Sequence, residues 1–400
     1  MKITLTSKVK LVKLIIHEDN KEFIVEDPQS NDYFQMNACS IDAIRLLNSN
    51  QSLGEIEEKL SSKYPEEDID MIAFTEQLIE LKLIREIDGQ AVERKKNVTR
   101  QTGFNWLPSS IGKFFFSKAM RVFYFFLFIS SIGLMIYNPN LFPHYRDLFV
   151  FEHMTFNLLL WMGVSLIIVL HHELGHLLAV RSYNFPARLG ISNRLFLVVF
   201  ETEMNDVWKL KRSERNMPYL AGLCFDMVLL FGALFVQAAF PDAPAILHAL
   251  SALIVFDIVI KVVYQCCFYM KTDLYYVIEN MTGCYNLMEN SKRYLQQYFP
   301  FIRAERDAAS FEGEERVIRL YAFFYLVGIG LSLALFTFYM IPQMVYTYTK
   351  TLPHLTASMS SYWFWDAVII LLQSLLMIGL FVRSQLIKRK ETKEEWQVSA

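Results

Sequence analysis

Six apolar segments, at about residues 119–137, 154–180, 217–240, 245–269, 318–341 and 362–384, constrain this chain more than any other feature. Each is long enough to cross a hydrocarbon layer about 30 Å thick, which takes roughly 20 residues of helix. Inside such a layer the backbone must satisfy its own hydrogen bonds. The expected fold class is therefore an α-helical integral membrane protein with about six transmembrane helices. Composition agrees, since 53% of the 400 residues are hydrophobic and 15% aromatic, more than an ordinary soluble chain carries. Lys plus Arg (39) nearly balance Asp plus Glu (41), so no basic field exists to attract nucleic acid, which is not an expected partner. Five cysteines, Cys39, Cys224, Cys266, Cys267 and Cys284, form no CxxC pair and no disulfide framework, and read as reduced or buried thiols.

Basic residues fall on alternate connections. Arg181, Arg188, Arg194, Lys209, Lys211, Arg212 and Arg215 crowd the one after the second segment. Lys292, Arg293, Arg303 and Arg306 follow the fourth, and Arg383, Lys388, Arg389 and Lys390 mark the tail, whereas the intervening connections hold Arg146, nothing, and Lys350. The positive-inside rule then puts both termini in the cytoplasm. The first 16 residues lack a small-residue cleavage site and are not a secretory signal. Residues 186–199 are too short to span, and read as a hairpin or re-entrant strand.

Residues 1–88 have a different character, that of a soluble α/β domain. Strands are expected at 9–16, 22–26 and 33–36. Three helices follow: Ser40 caps the first, Ser52 and Glu55 form a capping box for the second, and Pro65 precedes the third. Along the third, Met71, Phe74, Leu78 and Leu81 recur at spacings of three and four and share one face. A polar linker from 88 to 103, with the basic cluster Arg94, Lys95 and Lys96, leads to an aromatic stretch at 104–116 suited to a membrane interface. The expected organisation is thus a domain at 1–88, a linker and interfacial segment at 89–118, a membrane core at 119–384 and a tail at 385–400.

The second apolar segment ends in His171-His172-Glu173-Leu174-Gly175-His176, which contains H-E-x-x-H. Helical residues four apart share a face, so the imidazoles of His172 and His176 can meet on one metal ion. Glu173 stands beside them, placed to accept a proton from a water that the metal acidifies. Ionisable groups cost energy within a span, so a polar helix end that merely reaches the interface is the weaker reading. His171 points roughly 100° away and is expected beside the site, not in it. A third ligand must come from elsewhere, and Asp226, Asp257 and Asp273 are the candidates. Asp257 has Lys261 four residues on and neutralises itself along one face. Asp226 and Asp273 remain. Cys266 and Cys267 are soft alternatives, but adjacent residues on a helix cannot easily point at one metal.

Two resemblances bear on these residues. The run FIVEDPQSNDYFQMN, the helix SIDAIRLLN, and SLGEIEEKLSSKYP followed by LIELKLI resemble PqqD-like domains, winged-helix-like modules that recognise leader peptides. The resemblance implies that a peptide adds a strand beside Tyr33, Phe34, Gln35 and Met36 and lies against the helix at 69–83. The HELGH motif, with TDLYY and ENMTGCYNL downstream, resembles the peptide-maturation branch of the site-2 protease family. That implies a Zn²⁺ cofactor held by His172, His176 and Asp273, with Glu173 as the catalytic base. Asp226, in YLAGLCFD, resembles the Asp of that family's A-G-P-x-x-D helix, which implies helix packing or water exclusion. The chain departs from the pattern at Leu274, where glycine is usual, and at Cys267-Phe268, where Asn-Pro is usual. Together the resemblances imply a multi-pass zinc metalloendopeptidase of a bacterial cell membrane, whose partners are the lipid bilayer and a ribosomally synthesised peptide substrate. The alternative is a non-proteolytic peptide-binding scaffold or export partner. No oligomeric state follows from the sequence.

Overall fold

The computed structural model describes residues 3–19, 22–92, 103–194, 197–284, 286–300, 302 and 314–398. The chain divides into two compact units, Met1–Thr102 with Met204–Arg215, and Gly103–Glu203 with Asn216–Ala400.

In the first unit the strands and helices run β1 (Val9–Leu11), β2 (Ile15–Asp19), β3 (Glu22–Asp27), β4 (Asp32–Met36), α1 (Ala38–Leu47), α2 (Leu53–Lys63), α3 (Met71–Glu80), β5 (Ile84–Ile87) and β6 (Gln90–Ala91). They form two antiparallel sheets, ordered β1-β5-β6 and β2-β3-β4. The strand expected at 9–16 is therefore two strands in different sheets. Leu11 and Val12 are both buried, which breaks the alternation a single strand needs, and the β1–β5 register shifts between Lys10 and Leu11. Asn37, not Ser40, caps α1: its side chain accepts from Ser40 N at 2.8 Å, so Ser40 lies inside the first turn. The Ser52–Glu55 capping box is present on α2. Helix α3 starts only at Met71, capped by Asp70, whose Oδ1 accepts from Ile72 N and Ala73 N. Met71 and Leu78 of the expected face are buried and Phe74 packs against the core, while Leu81, just past the helix end, is 40% exposed.

The β5–β6 hairpin occupies the start of the expected linker. Its turn is Asp88-Gly89, with φ of 50° and 82°, the left-handed pair that a two-residue hairpin turn favours. The compact unit thus runs beyond residue 88. The cluster Arg94, Lys95 and Lys96 lies outside the described residues, as do Arg303 and Arg306.

A strap, Met204–Arg215, completes this unit. Its Val207 is fully buried, and Arg215 and Asp206 nearly so. Arg215 reaches Asp19 at 2.8 Å, donates to the carbonyls of Leu210 (2.9 Å) and Trp208 (3.1 Å), and lies over the Trp208 ring. Lys209 joins Glu26 (3.0 Å) and Asp206 (2.8 Å). Buried charges persist when paired in this way, so the strap is an integral part of the core and not a loop draped on it.

The second unit comprises α4 (Ser109–Phe115), α5 (Lys118–Tyr137), α6 (Met154–Ser182), the hairpin β7 (Leu189–Arg194) and β8 (Leu197–Thr202), α7 (Arg212–Ala239, from Asn216 onward), α8 (Ala245–Gln265), α9 (Asp273–Thr282), α10 (Leu287–Gln296), α11 (Glu315–Leu335), α12 (Ile341–Thr351) and α13 (Tyr362–Val398). A π-turn, Phe336–Met340, joins α11 to α12. Among the described residues, six helical stretches are long and apolar enough to cross a membrane: α5, α6, α7, α8, the 42-residue run Glu315–Thr356, and Tyr362–Ile387. The fifth is far longer than the 24 residues expected at 318–341, because the helix continues through the π-turn. Large apolar side chains face outward on them, among them Phe125, Ile167 and Leu375, which is what a lipid-facing surface requires and suggests a multi-pass membrane protein. Leu127, Ile168, Leu234, Val255 and Ile258 form a core shared by α5, α6, α7 and α8. The hairpin expected at 186–199 extends to Thr202. None of the five cysteines is in a disulfide.

Candidate metal centre

Helix α6 carries His172, Glu173 and His176 on its inner face, and two glycines decide how closely α7 approaches them. A Cβ on Gly175 would stand 2.5 Å from Ala221 O, so only glycine allows α6 and α7 this contact. A Cβ on Gly222 would fall 2.3 Å from His172 Nε2 and 2.5 Å from His176 Nε2. The space in front of both nitrogens therefore exists because residue 222 has no side chain.

Three side-chain atoms converge there. His172 Nε2 and His176 Nε2 are 3.1 Å apart, and Asp273 Oδ2 lies 3.1 Å from the first and 3.5 Å from the second. Asp273 is the first residue of α9, and Thr272 caps that helix by accepting from Tyr275 N. The side chain of Gln265, the last residue of α8, fixes it twice. Its Nε2 donates to Asp273 Oδ2 at 2.8 Å, and its Oε1 accepts from Asp273 N at 2.9 Å. Burial alone would push the Asp273 carboxyl up, but His176 and His172 hold it well below the ordinary carboxylate range. His172, Glu173 and His176 form a group able to hold a metal ion, their ligand atoms all within 4.8 Å of one another.

Glu173 is buried, and its Oε2 accepts from both Thr202 N and Thr202 Oγ1 at 2.8 Å. The β7–β8 hairpin thus ends on the carboxylate of the H-E-x-x-H motif. Sequence reasoning missed this partner, and also Gln265; neither belongs to a motif with a spacing that would betray it. Of the candidate third ligands, Asp273 meets the imidazoles at Nε2. Asp226, on α7, stands on the far side of His172, with Oδ2 2.7 Å from Nδ1, a contact that packing or water exclusion did not anticipate. Asp257 pairs with Lys261 and accepts from Trp161 Nε1, away from this cluster. His171 turns from the cluster, with Nε2 3.2 Å from Phe225 O and its ring against that of Phe225. Cys266 contacts Val262 O, and Cys267 contacts Ser332 Oγ.

In the first unit, Tyr33, Phe34, Gln35 and Met36 lie on β4, one of the two edge strands of its sheet. Phe34 and Met36 turn toward the core, whereas the Tyr33 hydroxyl donates to Asp206 Oδ1 of the strap at 3.3 Å and to Asn31 Oδ1 at 3.1 Å. Burial and the neighbouring carboxylates of Asp206 and Glu26 push that hydroxyl far above its ordinary pKa, so it remains a donor. A groove of about 420 Å³ runs beside this strand, lined by Tyr33, Phe34, Leu81, Lys82, Asn205 and Trp208 among others.

Comparison with family models, curated proteins and solved structures returned no match for this chain.

Proposed function

We propose that this protein is a membrane-embedded zinc metalloendopeptidase of the site-2 protease type that matures a ribosomally synthesised peptide. The observation that carries the reading is the triangle of Nε2, Nε2 and Oδ2 from His172, His176 and Asp273. Ligands about 2.0–2.1 Å from a tetrahedral zinc are separated by about 3.3–3.4 Å, and the three edges here are 3.1, 3.1 and 3.5 Å. Three protein ligands leave a fourth position open, the pattern of catalytic and not of structural zinc.

A zinc ion bound there supplies Lewis acidity toward a carbonyl oxygen and makes a water acidic enough to be deprotonated near neutral pH. Glu173 takes the proton. With Oε2 engaged by Thr202, that role falls to Oε1, which then passes the proton to the amine nitrogen as the C–N bond breaks and the water oxygen stays on the carbonyl carbon. Gln265 keeps Asp273 in place without taking part in proton transfer.

The six apolar helices support a bilayer location, and the first unit supports its topology. Residues before α5 and residues after α6 share one core, so the chain must cross an even number of times between them, as two spanning helices do. With the basic connections cytoplasmic, this unit and both termini lie in the cytoplasm of a bacterial cell. The place of β4 at one end of its sheet, with Tyr33, Phe34, Gln35 and Met36, supports recognition of the substrate's leader by strand addition.

Cells carrying wild-type protein and cells carrying Glu173→Gln should release different peptides by mass spectrometry. A mature peptide is expected to vanish and its uncut precursor to accumulate, a loss of about 10²-fold or more. An unchanged peptide profile, with the pathway still impaired by His172→Ala, would replace the protease with the scaffold reading.

A further inference from the structure

Helix α7 faces His172 and His176 with three residues along one stripe, Pro218, Gly222 and Asp226, at i, i+4 and i+8. Each meets the histidines at a different atom. Pro218 O lies 2.8 Å from His176 Nδ1, Asp226 Oδ2 lies 2.7 Å from His172 Nδ1, and Gly222 leaves the gap before both Nε2 atoms. A carbonyl oxygen and a carboxylate only accept, so each Nδ1 must carry the hydrogen. In the neutral ring that a metal ligand requires, each Nε2 is then the lone pair, and both Nε2 atoms face the place that residue 222 leaves empty.

We propose that Asp226 is a positioning residue for the metal, and that the 218/222/226 stripe of α7 is a template that fixes both imidazole tautomers and keeps the ion's place clear. This rests on the zinc reading above and adds to it an element outside the ligand set. Asp226 is 1% exposed in an apolar helix, and His172 Nδ1 is the partner of its Oδ2 while its Oδ1 has no hydrogen-bond partner among the described residues. A carboxylate so placed is costly unless positive charge stands behind the hydrogen it accepts. A divalent ion on the opposite nitrogen of the same ring supplies that charge, transmitted through the imidazole. The two carboxylates of this site therefore differ in function: Asp273 touches the triangle itself, and Asp226 acts through His172. The helix register decides which is which, because a residue one turn from Gly222 reaches the back of the ring and not its front.

The test is zinc affinity of the full chain in detergent, measured by competition with a chromogenic chelator and independent of any peptide substrate. Asp226→Ala is expected to weaken zinc about 10- to 100-fold. Asp226→Asn, which still accepts from Nδ1 but carries no charge, should fall between it and wild type. The visible spectrum of Co²⁺ at saturation should be the same in all three, since no ligand is removed. Gly222→Ala, which places a methyl group within 2.5 Å of both Nε2 atoms, should abolish uptake of either metal. Zinc affinity within twofold of wild type in Asp226→Ala would overturn the proposal and leave the zinc reading standing. A changed Co²⁺ spectrum would overturn it by making Asp226 a ligand. Failure of wild-type protein to bind zinc at all would remove both.

Discussion

Replacing Arg215 by Met should destabilise the first unit by about 3–5 kcal/mol, the cost of leaving one member of a buried ion pair without its partner. The Arg215 and Asp19 side chains are 3% and 7% exposed and 2.8 Å apart, so water cannot compensate for the lost cation. Two strap carbonyls, of Leu210 and Trp208, lose a donor in the same step, each worth about 0.5–1.5 kcal/mol, which favours the upper end of the range. Methionine refills much of the volume over Trp208, so packing changes little. Against a domain stability of about 5–15 kcal/mol this is a third or more of the total in the typical case. Urea-dependent proteolysis of the full chain in detergent, with cut sites read by mass spectrometry, measures it within the first unit. The double variant Asp19→Asn/Arg215→Met removes both charges and should recover most of the loss. A cost below about 1 kcal/mol, the value of an exposed pair, or a double variant no better than the single, would refute the argument that the strap belongs to the core.

On the proposed protease reading, Thr202→Val, which removes the hydroxyl hydrogen bond to Glu173 but keeps the backbone one, should lower kcat about 10-fold or more with bound metal unchanged; equal kcat would free the hairpin from any part in that chemistry. Lys63, chiefly, and Tyr64 hold the Asp42 carboxyl below its ordinary value of 3.8 by hydrogen bonding, against a smaller opposing effect of burial. A lowered folded-state pKa gives stability that is full above the unfolded value and lost as pH falls through the folded one. Asp42→Asn should therefore flatten the pH dependence of stability below about pH 4, and an unchanged acid limb in a denaturation series would contradict this.

The apolar helices are legible because their length and composition are local to each segment, and the helices at 118–137 and 245–265 keep close to the expected bounds. The H-E-x-x-H pair was legible because both imidazoles lie on one helix. Local signals were read less evenly. The Ser52–Glu55 box is plain, yet Asn37 outcompetes Ser40 as a cap, and Asp88-Gly89, among the clearest short-range turn signals, closes a hairpin where the polar composition of 88–103 suggests a linker. The strand at 9–16 was split by burial of two consecutive residues, which only the helices packed on them could dictate. Thr202, Gln265 and the role of Asp226 were out of reach for another reason. They act across 29, 8 and 54 residues of chain, on partners whose proximity is set by helix packing and not by spacing.

The strap also fixes an order of manufacture. Val207 and Arg215 finish a core whose other residues lie before α5, so the ribosome must have released both α5 and α6 before the first unit can close. With that helix pair in a bilayer, a hairpin inserted by only one of its arms would deliver the strap to the wrong face of the membrane. The first unit would then stay open, with Asp19 unpaired from Arg215 and its apolar core uncovered to chaperones and proteases. Completion of this unit is in that sense a sign that both helices, the second carrying the H-E-x-x-H motif, have left the ribosome.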